Sequence, residues 1–481
     1  MTKLLARCFV AGFGAALATA CAVGPDYHRP EAVTAVAVDY KESADWKPSE
    51  PNDVLTRGPW WKIFNDEQLD ALEAQINISN QNVKAAEAAF EQSRALVSQA
   101  RAGFWPTIAA SLGVQRSGSP IVVSNAAGQP VSATRTQTSY NAGVSASWDI
   151  DIWGRIRRTT ESELASAESS NAALAAARLS AQAELATDYF ELRAQDQLQK
   201  LLDDTVVAET QSLKITQSRY TFGVAARADV VAAETQLLSS QAQQVNAKIQ
   251  RAILEHAVAV LVGKQPAEFA LDPAAMRSDV PTVPAGVPST LLERRPDVAE
   301  AERRMAAANA QIGVAKAGYF PDLTLTGSDQ YSTLSFSNLI RNSNRIWAVG
   351  PALAQTLFDG GLVRAQVRGA RATYEGTVDT YRQTVLMSFQ QVEDEIVTLR
   401  VLEQEGVIED ETVKKAREAE TLTLNQYKAG TVPYSSVITA QTTRLSAEET
   451  ALSVLSTRLQ ASVALIEALG GGWDASMEVV K

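Results

Sequence analysis

The sequence contains few of the residues on which metal proteins and many enzymes depend. Its 481 residues include only two cysteines and two histidines. Cys8 and Cys21 both stand near the N-terminus, so the remainder can form no internal disulfide and has no Cys or His cluster with metal-ligand spacing. The rest of the sequence has no pattern typical of a catalytic nucleophile, a phosphate-binding loop or a set of metal ligands. We therefore expect no enzyme activity, no bound metal and no non-covalent cofactor.

Positive charge and long apolar runs are also scarce. Lys and Arg number 44 against 55 Asp and Glu, which gives a net charge of −11. This balance argues against nucleic acid as a partner. Beyond the N-terminus, no stretch reaches about 18 consecutive apolar residues, the length that a transmembrane helix needs. A transmembrane helix is therefore excluded in that part of the sequence.

Residues 1–20 have the pattern of a bacterial export signal. Lys3 and Arg7 give a positive start, and the apolar stretch Phe9–Leu17 is too short to cross a bilayer as a helix. The small residues Ala18–Ala20 then precede a cysteine. We expect the signal to be removed directly before that cysteine.

Cys21 would then be the first residue of the mature chain, as in bacterial lipoproteins. The usual Leu three residues before the cysteine is replaced here by Ala18. We expect an N-acyl diglyceride and palmitate on Cys21, which together anchor a protein stably in a membrane. Ala22, rather than Asp, follows the cysteine and favours sorting to the outer membrane. The alternative is an ordinary secretory signal in which Cys21 is incidental.

Three blocks of the sequence occur twice. Ala102–Pro106 returns as Ala317–Pro321 with an offset of 215 residues, and Tyr220–Val224 returns as Tyr427–Thr431 with an offset of 207. The third block, which ends at Gly263, returns with the offset of 207 at Gly470. The chain is therefore predicted to be a tandem duplication. The first copy carries eight extra residues, chiefly in a predicted loop, Arg116–Thr138.

Long helices are predicted in both copies, over residues 160–215, 228–262 and 363–469. No proline or glycine lies between Ile156 and Arg219, enough for a helix of roughly 90 Å. The apolar positions form a narrow coiled-coil seam with spacings of 3 and 4. These positions are Leu185, Tyr189 and Leu192 in the first copy and Val385, Phe389, Val392, Ile396 and Leu399 in the second.

Between the helices, each copy has segments in which apolar and polar residues alternate. Tyr140–Asp151 and the stretch after Pro106 follow a strict period of two, and Leu323–Tyr331 and Ile346–Leu357 are the second copy's candidates. About ten residues of this pattern, with aromatic residues at the ends, are typical of transmembrane β-strands. Soluble hairpins packed on a helix are the alternative.

Four strands cannot close a membrane barrel, and lipid does not tolerate unpaired strand edges. A membrane location therefore requires an oligomer, with eight strands in a dimer or twelve in a trimer. The inward positions carry small polar residues, which suit a water-filled lumen and favour a homotrimer.

Several ordered motifs resemble one known family, the TolC-like outer-membrane factors. The N-terminal block Cys21–Pro30, the block Trp60–Asp66 and the central motif Arg294–Val298, followed by Ala317–Pro321, are similar to its lipoprotein branch. That branch is the outer-membrane subunit of tripartite efflux pumps of the RND type, also called the NodT family. The resemblance extends over more than 400 residues.

The resemblance implies an α+β membrane protein. Three chains would form a twelve-stranded outer-membrane β-barrel, continued into the periplasm by a long α-helical coiled-coil tunnel. The partners implied are outer-membrane lipid, a periplasmic adaptor protein and an inner-membrane transporter of RND type. The cargo would be drugs or other toxic small molecules, so that the chain would contribute to multidrug resistance.

These inferences give a predicted domain organisation. An extended N-terminal segment covers residues 21–65. The two repeats cover 66–263 and 296–470, with β-hairpins at about 105–152 and 322–358. A linker, 264–295, and a C-terminal tail, 471–481, complete the chain.

The resemblance also points to an aperture where helix pairs meet at the periplasmic tip. The corresponding turns contain Tyr220 and Gly223 in the first copy and Tyr427 and Gly430 in the second. Relatives often carry aspartates 9 or 12 residues after the second tyrosine, where this chain has Ser436 and Thr439. Asp229 occupies the equivalent position of the first copy, where it could supply negative charge or cap a helix. We expect closure to depend on hydroxyl hydrogen bonds and Tyr427 rather than on a ring of carboxylates.

Two other functions share part of this pattern. A periplasmic adaptor lipoprotein would contain one helical hairpin flanked by β-rich halves, whereas this chain has two hairpin units at a fixed offset. An outer-membrane conduit for type I protein secretion would share the fold and differ in its cargo.

Overall fold

The chain is described by a computed structural model over residues 22–31, 41, 59–124, 126–283 and 294–471. The predicted signal peptide, Cys21, most of the predicted N-terminal segment, part of the predicted linker and nearly all of the C-terminal tail lie outside these residues. Structural statements below concern the described residues.

Seven α-helices and four strands are found in the described part of the chain. In chain order they are α1 (Glu67–Ser79), α2 (Gln81–Ala102), β1 (Thr107–Ser124), β2 (Pro130–Asp149), α3 (Arg155–Thr221), α4 (Arg227–Leu261), α5 (Pro296–Ala317), β3 (Asp322–Thr333), β4 (Arg345–Ala354), α6 (Leu362–Ala429) and α7 (Tyr434–Ala468). The order helix, two strands and two helices thus occurs twice. Short 3-10 helices lie before α1, at Trp60–Phe64, and between later elements, at Pro266–Glu268, Phe336–Asn338 and Asn342–Asn344.

The predicted long helices are confirmed. α3 has 67 residues and α6 has 68. An aspartate shortly before each helix accepts hydrogen bonds from backbone N–H groups at the helix start. Asp151 accepts from Ile156 and Arg157, and Asp359 accepts from Gly361 and Val363. Such caps satisfy N–H groups that have no partner within the helix. Among the described residues, no helix has both the length and the apolar character needed to cross a bilayer.

The four strands form one antiparallel sheet in the order β1-β2-β3-β4. Thr107 lies opposite Ser147 in the first pair, Trp148 opposite Leu325 in the second, and Asp322 opposite Ala354 in the third. β4 ends at Ala354, three residues before the predicted end at Leu357. β1 and β4 are the edges of the sheet and are the only strands paired on one side within the described residues.

The prediction of a loop at Arg116–Thr138 was wrong. β1 continues to Ser124 and β2 starts at Pro130, with Val123 opposite Val131 and Ser119 opposite Arg135. Threonine and valine recur in this stretch, and such residues fit a pleated strand. Pro120, which has no backbone N–H, lies within β1, a position that an edge strand permits because no donor is needed on the side away from β2. The eight extra residues of the first copy therefore lengthen a hairpin.

Large apolar side chains of the strands are exposed in the single chain. Ile108, Leu112 and Val114 on β1 and Trp347, Val349 and Leu353 on β4 each expose 64–76% of their surface. The members of each set lie two or four residues apart, so they share one face of the sheet. Apolar faces of this extent mark a surface that another molecule or a membrane covers.

The described chain divides into two compact units. The first comprises Met1–Pro30, Glu91–Glu168 and Glu302–Asp379, and so contains the whole sheet. Its N-terminal segment is fastened to α3 and α5. Arg158 donates to Asp26 at 2.7 Å, and the Tyr27 hydroxyl donates to Glu302 at 2.7 Å. Burial, followed by this bond to Glu302, raises the pKa of Tyr27.

The second unit comprises Glu31–Phe90, Ser169–Ala301 and Thr380–Lys481. Its hydrophobic core joins Trp60, Trp61 and Phe64 to the seam of α3, and the rings of Phe64 and Phe190 lie 4.8 Å apart. The predicted seam residues of both copies are buried except Phe389, which is half-buried.

Within the second unit, the two sequence repeats make equivalent contacts. Asn80, at the start of α2, donates from its side chain to the carbonyl of Leu261 at the end of α4. Arg295, at the start of α5, donates to the carbonyl of Ala468 at the end of α7. These positions are related by the same offsets as the sequence blocks, so the two copies share contacts as well as sequence.

Candidate functional site

The predicted aperture residues lie at two helix turns of the second unit. The first turn joins α3 to α4 and the second joins α6 to α7. Gly223 and Gly430 adopt φ angles of 72° and 81°, a left-handed conformation that glycine enters without steric cost. In each turn the glycine N–H donates to the carbonyl of the tyrosine, Tyr220 or Tyr427, at 2.9 Å. The repeated sequence block therefore produces the same helix-ending turn twice.

The two tyrosines have different surroundings. Tyr220 exposes 45% of its surface, whereas Tyr427 exposes 3%. Tyr427 packs edge-to-face on Tyr434, with ring centroids 5.2 Å apart, and its hydroxyl donates to Thr216 of α3 at 3.4 Å. Val437 and Ala233 complete this cluster, which we call the tyrosine cluster. The cluster joins α3, α4, α6 and α7.

Arg219 fastens the second turn to the end of α3. Its guanidinium carbon lies 4.8 Å from the centre of the Tyr427 ring, and one of its nitrogens donates to the carbonyl of Lys428 at 2.8 Å. The stacking is a cation–π contact, and the hydrogen bond satisfies a carbonyl that the ending helix leaves without a partner.

The hydrogen bonds of the remaining predicted residues stay within their own copy. Asp229 accepts a hydrogen bond from the Ala226 N–H at 3.3 Å, so it caps α4. Thr439 donates to the carbonyl of Ser435 within α7 at 3.0 Å. Ser436 is half-buried in the first turn of the same helix. Their contribution to an aperture would depend on other copies of the chain.

A seam of buried polar residues continues along α3 from the tyrosine cluster. Thr205, Glu209, Ser212 and Thr216 each expose 3% or less and are spaced by 4, 3 and 4 residues. Such positions in a coiled coil are usually apolar. Ser212 accepts from Gln441 of α7 at 3.1 Å, and Glu209 accepts from Gln236 of α4 at 2.9 Å. Burial raises the pKa of Glu209, and burial followed by the charge of Glu209 raises the pKa of Tyr434 to about 12.

An ion-pair cluster lies next to this seam. Arg444 of α7 contacts Glu420 of α6 at 2.7 Å, bonds to Glu448 and donates to Thr205 of α3 at 3.2 Å. Arg417 also pairs with Glu448, at 2.6 Å. A buried arginine is costly unless its donors are satisfied, and here carboxylates from two helices satisfy it.

The sequence located both turns but missed several residues that hold them. Arg219 directly precedes the repeated tyrosine block, and Tyr434 follows Pro433 at the start of the next helix. The signal that could have identified the polar seam is its heptad spacing. In the described residues, no group of three or more Cys, His, Asp or Glu side chains could hold a metal ion.

The chain combines long paired helices with antiparallel strands that expose an apolar face, and comparisons with known proteins identify its class. The model of the outer membrane efflux protein family matches residues 72–264 and 287–471. The two matched segments start and end with the offsets that separate Gly103 from Gly318 and Tyr220 from Tyr427. The chain belongs to this family.

Relatives and solved structures extend the comparison over almost the whole chain. TtgC of Pseudomonas putida, a probable efflux pump outer membrane protein, is 28% identical over 477 residues, 98% of this chain and 96% of TtgC. OpmQ of Pseudomonas aeruginosa, a pyoverdine export outer membrane protein, is 30% identical over 428 residues, 87% of this chain and 88% of OpmQ. The outer-membrane channel OprN has a TM-score of 0.84 and 29% identity, and the match covers 94% of this chain and 100% of OprN. The chain is therefore an outer-membrane efflux channel.

Proposed function

We propose that three copies of the chain close a twelve-stranded barrel in the outer membrane and continue into the periplasm as a helical tunnel. The observation that carries this proposal is the four-stranded sheet, in which β1 and β4 each keep one unpaired edge among the described residues. Strand edges of this kind are not tolerated in lipid. Pairing β4 of each copy with β1 of the next removes every edge.

A cysteine pair on the two edge strands tests the closure. Within one chain, β2 and β3 separate β1 from β4 by about 14 Å, whereas a disulfide needs Cα atoms within about 7 Å. In the register that we propose between β4 of one copy and β1 of the next, Ala109 lies opposite Ala352 and Thr107 opposite Ala354. Ala109→Cys with Ala352→Cys, or Thr107→Cys with Ala354→Cys, should therefore link different copies. We expect a covalent trimer on a denaturing gel after oxidation.

The matched control moves one thiol and keeps their number. Ser119→Cys with Ala352→Cys places the β1 cysteine ten residues further along the strand, and we expect it to remain monomeric. Equal cross-linking of the control, or the absence of a trimer with both test pairs, would contradict the barrel.

The same proposal places an N-acyl diglyceride and a palmitate on Cys21. The support is the segment that follows: Ala22 lies against Gly154, and Val23 donates to the carbonyl of Trp153 at 2.9 Å. The residues that directly follow Cys21 thus lie at the junction between β2 and α3, which the proposed barrel places at membrane level. Labelling cells with radioactive palmitate should mark the chain, and Cys21→Ser should remove the label. Label that persists in Cys21→Ser would contradict acylation there.

The channel would serve as the exit duct of a tripartite pump, with a periplasmic adaptor and an inner-membrane transporter of RND type. The names of TtgC and OpmQ support export of small molecules, and drugs or other toxic compounds are the proposed cargo. Deleting the gene should lower the inhibitory concentration of several compounds in a panel. Unchanged resistance together with the loss of a secreted protein would favour type I secretion instead.

The two helix turns would form the aperture, closed by Tyr427 and hydroxyl groups rather than by a carboxylate ring. In a trimer, Ser436→Asp would introduce three carboxylates near the axis, which should raise cation selectivity and block by divalent cations in single-channel recordings. Ser435→Asp, at the exposed neighbouring position, is the matched control. If the two variants behave alike, Ser436 does not line the constriction.

A further inference from the structure

We infer that the first turns of α6 form a binding surface for the phosphate headgroups of anionic phospholipids in the inner leaflet of the outer membrane. Arg364, Arg368 and Arg371 are spaced by four and three residues, so they share one face of the helix. All three are exposed, and none has an ion pair or side-chain hydrogen bond with the residues that the structure describes. We call these residues the arginine stripe.

The arginine stripe lies directly after the strands that the proposed function places in the membrane, and the inference rests on that placement. β4 ends at Ala354, and the following Leu357 and Phe358 expose 94% and 90% of their surface. Side chains of an α-helix lean toward its N-terminus, which for α6 is the end next to the strands. Long arginine side chains can extend to a membrane interface in this way.

The duplication indicates what lies beside the face of α6 that carries the stripe. With the offset of 207, Arg368 is equivalent to Glu161 of α3. Glu161 accepts from Arg158 at 2.8 Å, and Arg158 also donates to Asp26 of the N-terminal segment at 2.7 Å. Arg368 therefore borders the face that, in the first copy, carries the N-terminal segment. A lipid on Cys21, the residue before that segment, would enter the inner leaflet on the same side.

Within the described residues, the arginines of the stripe lack the acidic partner that the equivalent arginine of the first copy has. Arg157, the equivalent of Arg364, contacts Asp151 at 3.4 Å. Near the stripe, Asp359 is occupied with the backbone N–H groups of Gly361 and Val363, and Glu375 lies one turn further from the strands. Guanidinium groups bind phosphate oxygens with two parallel hydrogen bonds. Three unpaired arginines beside a membrane thus favour an anionic headgroup.

The preference of the protein for an anionic over a neutral phospholipid tests the inference directly. The full-length protein is reconstituted in vesicles of phosphatidylcholine and phosphatidylglycerol, and either lipid is brominated in turn. Bromine quenches tryptophan fluorescence, so the ratio of the two quenching curves gives the preference for phosphatidylglycerol. We expect Arg364→Gln with Arg368→Gln to lower that preference by on the order of fivefold per arginine, and the corresponding double Lys variant to retain most of it.

The matched control removes two other arginines of the same unit. Arg116→Gln with Arg135→Gln alters exposed residues of the long hairpin, with the same loss of charge, and should leave the preference unchanged. The inference is overturned if the wild-type protein prefers neither lipid, if both double variants behave alike, or if the stripe variant dissociates the trimer without a change in preference. A barrel outside the membrane would instead give no quenching by either lipid, which would overturn the proposed function as well.

Discussion

The two helix turns of the candidate site arise from one repeated block, yet only the second is enclosed by side chains. Tyr220 is half-exposed, whereas Tyr427 is buried against Tyr434 and under Arg219. The residue equivalent to Tyr434 in the first copy is Arg227, whose side chain is 60% exposed. The repeated block thus determines the backbone turn, and the residues around it determine which turn is held in place.

The helices that lead to the turns differ in the same way. Glu209 in the polar seam of α3 is equivalent to Ala416 of α6, and Arg444 in the ion-pair cluster is equivalent to Leu237 of α4. Each copy therefore supplies charged groups where the other has an apolar side chain. Such asymmetry allows α3 to bind the α6–α7 pair, because groups from both copies meet at one seam.

The largest expected effect comes from removing a ring of the tyrosine cluster. Tyr434→Ala should leave a cavity between four helices and destabilise the second turn by about 3 kcal/mol. Amide hydrogen exchange of residues 424–440 should accelerate by roughly a hundredfold. Tyr220→Ala is the matched control, and its effect should stay below about 1 kcal/mol because that ring is half-exposed. Similar acceleration in the two variants would show that the buried ring of Tyr434 holds its turn no better than the half-exposed ring of Tyr220 does.

Removing Arg219 should weaken the second turn to a smaller extent. Arg219→Gln loses the contact with the Tyr427 ring and the hydrogen bond to the Lys428 carbonyl, together about 2 kcal/mol. Exchange of the Gly430 and Thr431 amides reports this loss, and Arg219→Lys should restore part of the protection. The equivalent residue of the other copy, Gln426, provides the control: Gln426→Ala should change little. A larger effect of Gln426→Ala would contradict the role of Arg219 in holding the second turn.

The sequence predicted the architecture well because its main signals are local. Alternation of apolar and polar residues located the strands, and the absence of proline and glycine located α3. The long hairpin was missed because the apolar residues of Arg116–Thr138 are few and stand mostly together at Ile121–Val123, so no alternation of apolar and polar residues marked the strands. Arg219, Tyr434 and the polar seam were missed for another reason. Several of their hydrogen bonds join residues more than 200 positions apart in sequence, such as Arg219 with Lys428 and Ser212 with Gln441, and only the fold brings these together.

The two glycines should respond alike, which tests the part of the comparison that the copies share. Gly223→Ala and Gly430→Ala each force a side chain into a left-handed backbone and should each cost about 1 kcal/mol. Denaturant midpoints of the two variants, measured side by side, should agree. A markedly greater loss for Gly430→Ala would show that the tyrosine cluster also fixes the backbone of the second turn.

The smallest effect concerns the pH dependence that Glu209 gives to the polar seam. Burial raises the pKa of this carboxyl above its ordinary value, about 4.3 for an exposed glutamate. As pH rises above that value, the unfolded chain releases the proton first, so the folded state binds more protons and its stability falls with pH. The fall continues up to the raised pKa of the folded state.

Glu209→Gln should therefore flatten the decline in urea midpoint above about pH 4.5. The amide keeps an acceptor for Gln236, so the packing of the seam is retained. Glu418→Gln is the matched control, since the Glu418 side chain is 61% exposed and lies on the second copy's α6. The slope of the control should equal that of the unmodified chain. If both variants show the original slope, the seam of the first copy contributes no titrating group, and the functional difference between the copies is confined to the tyrosine cluster and Arg219.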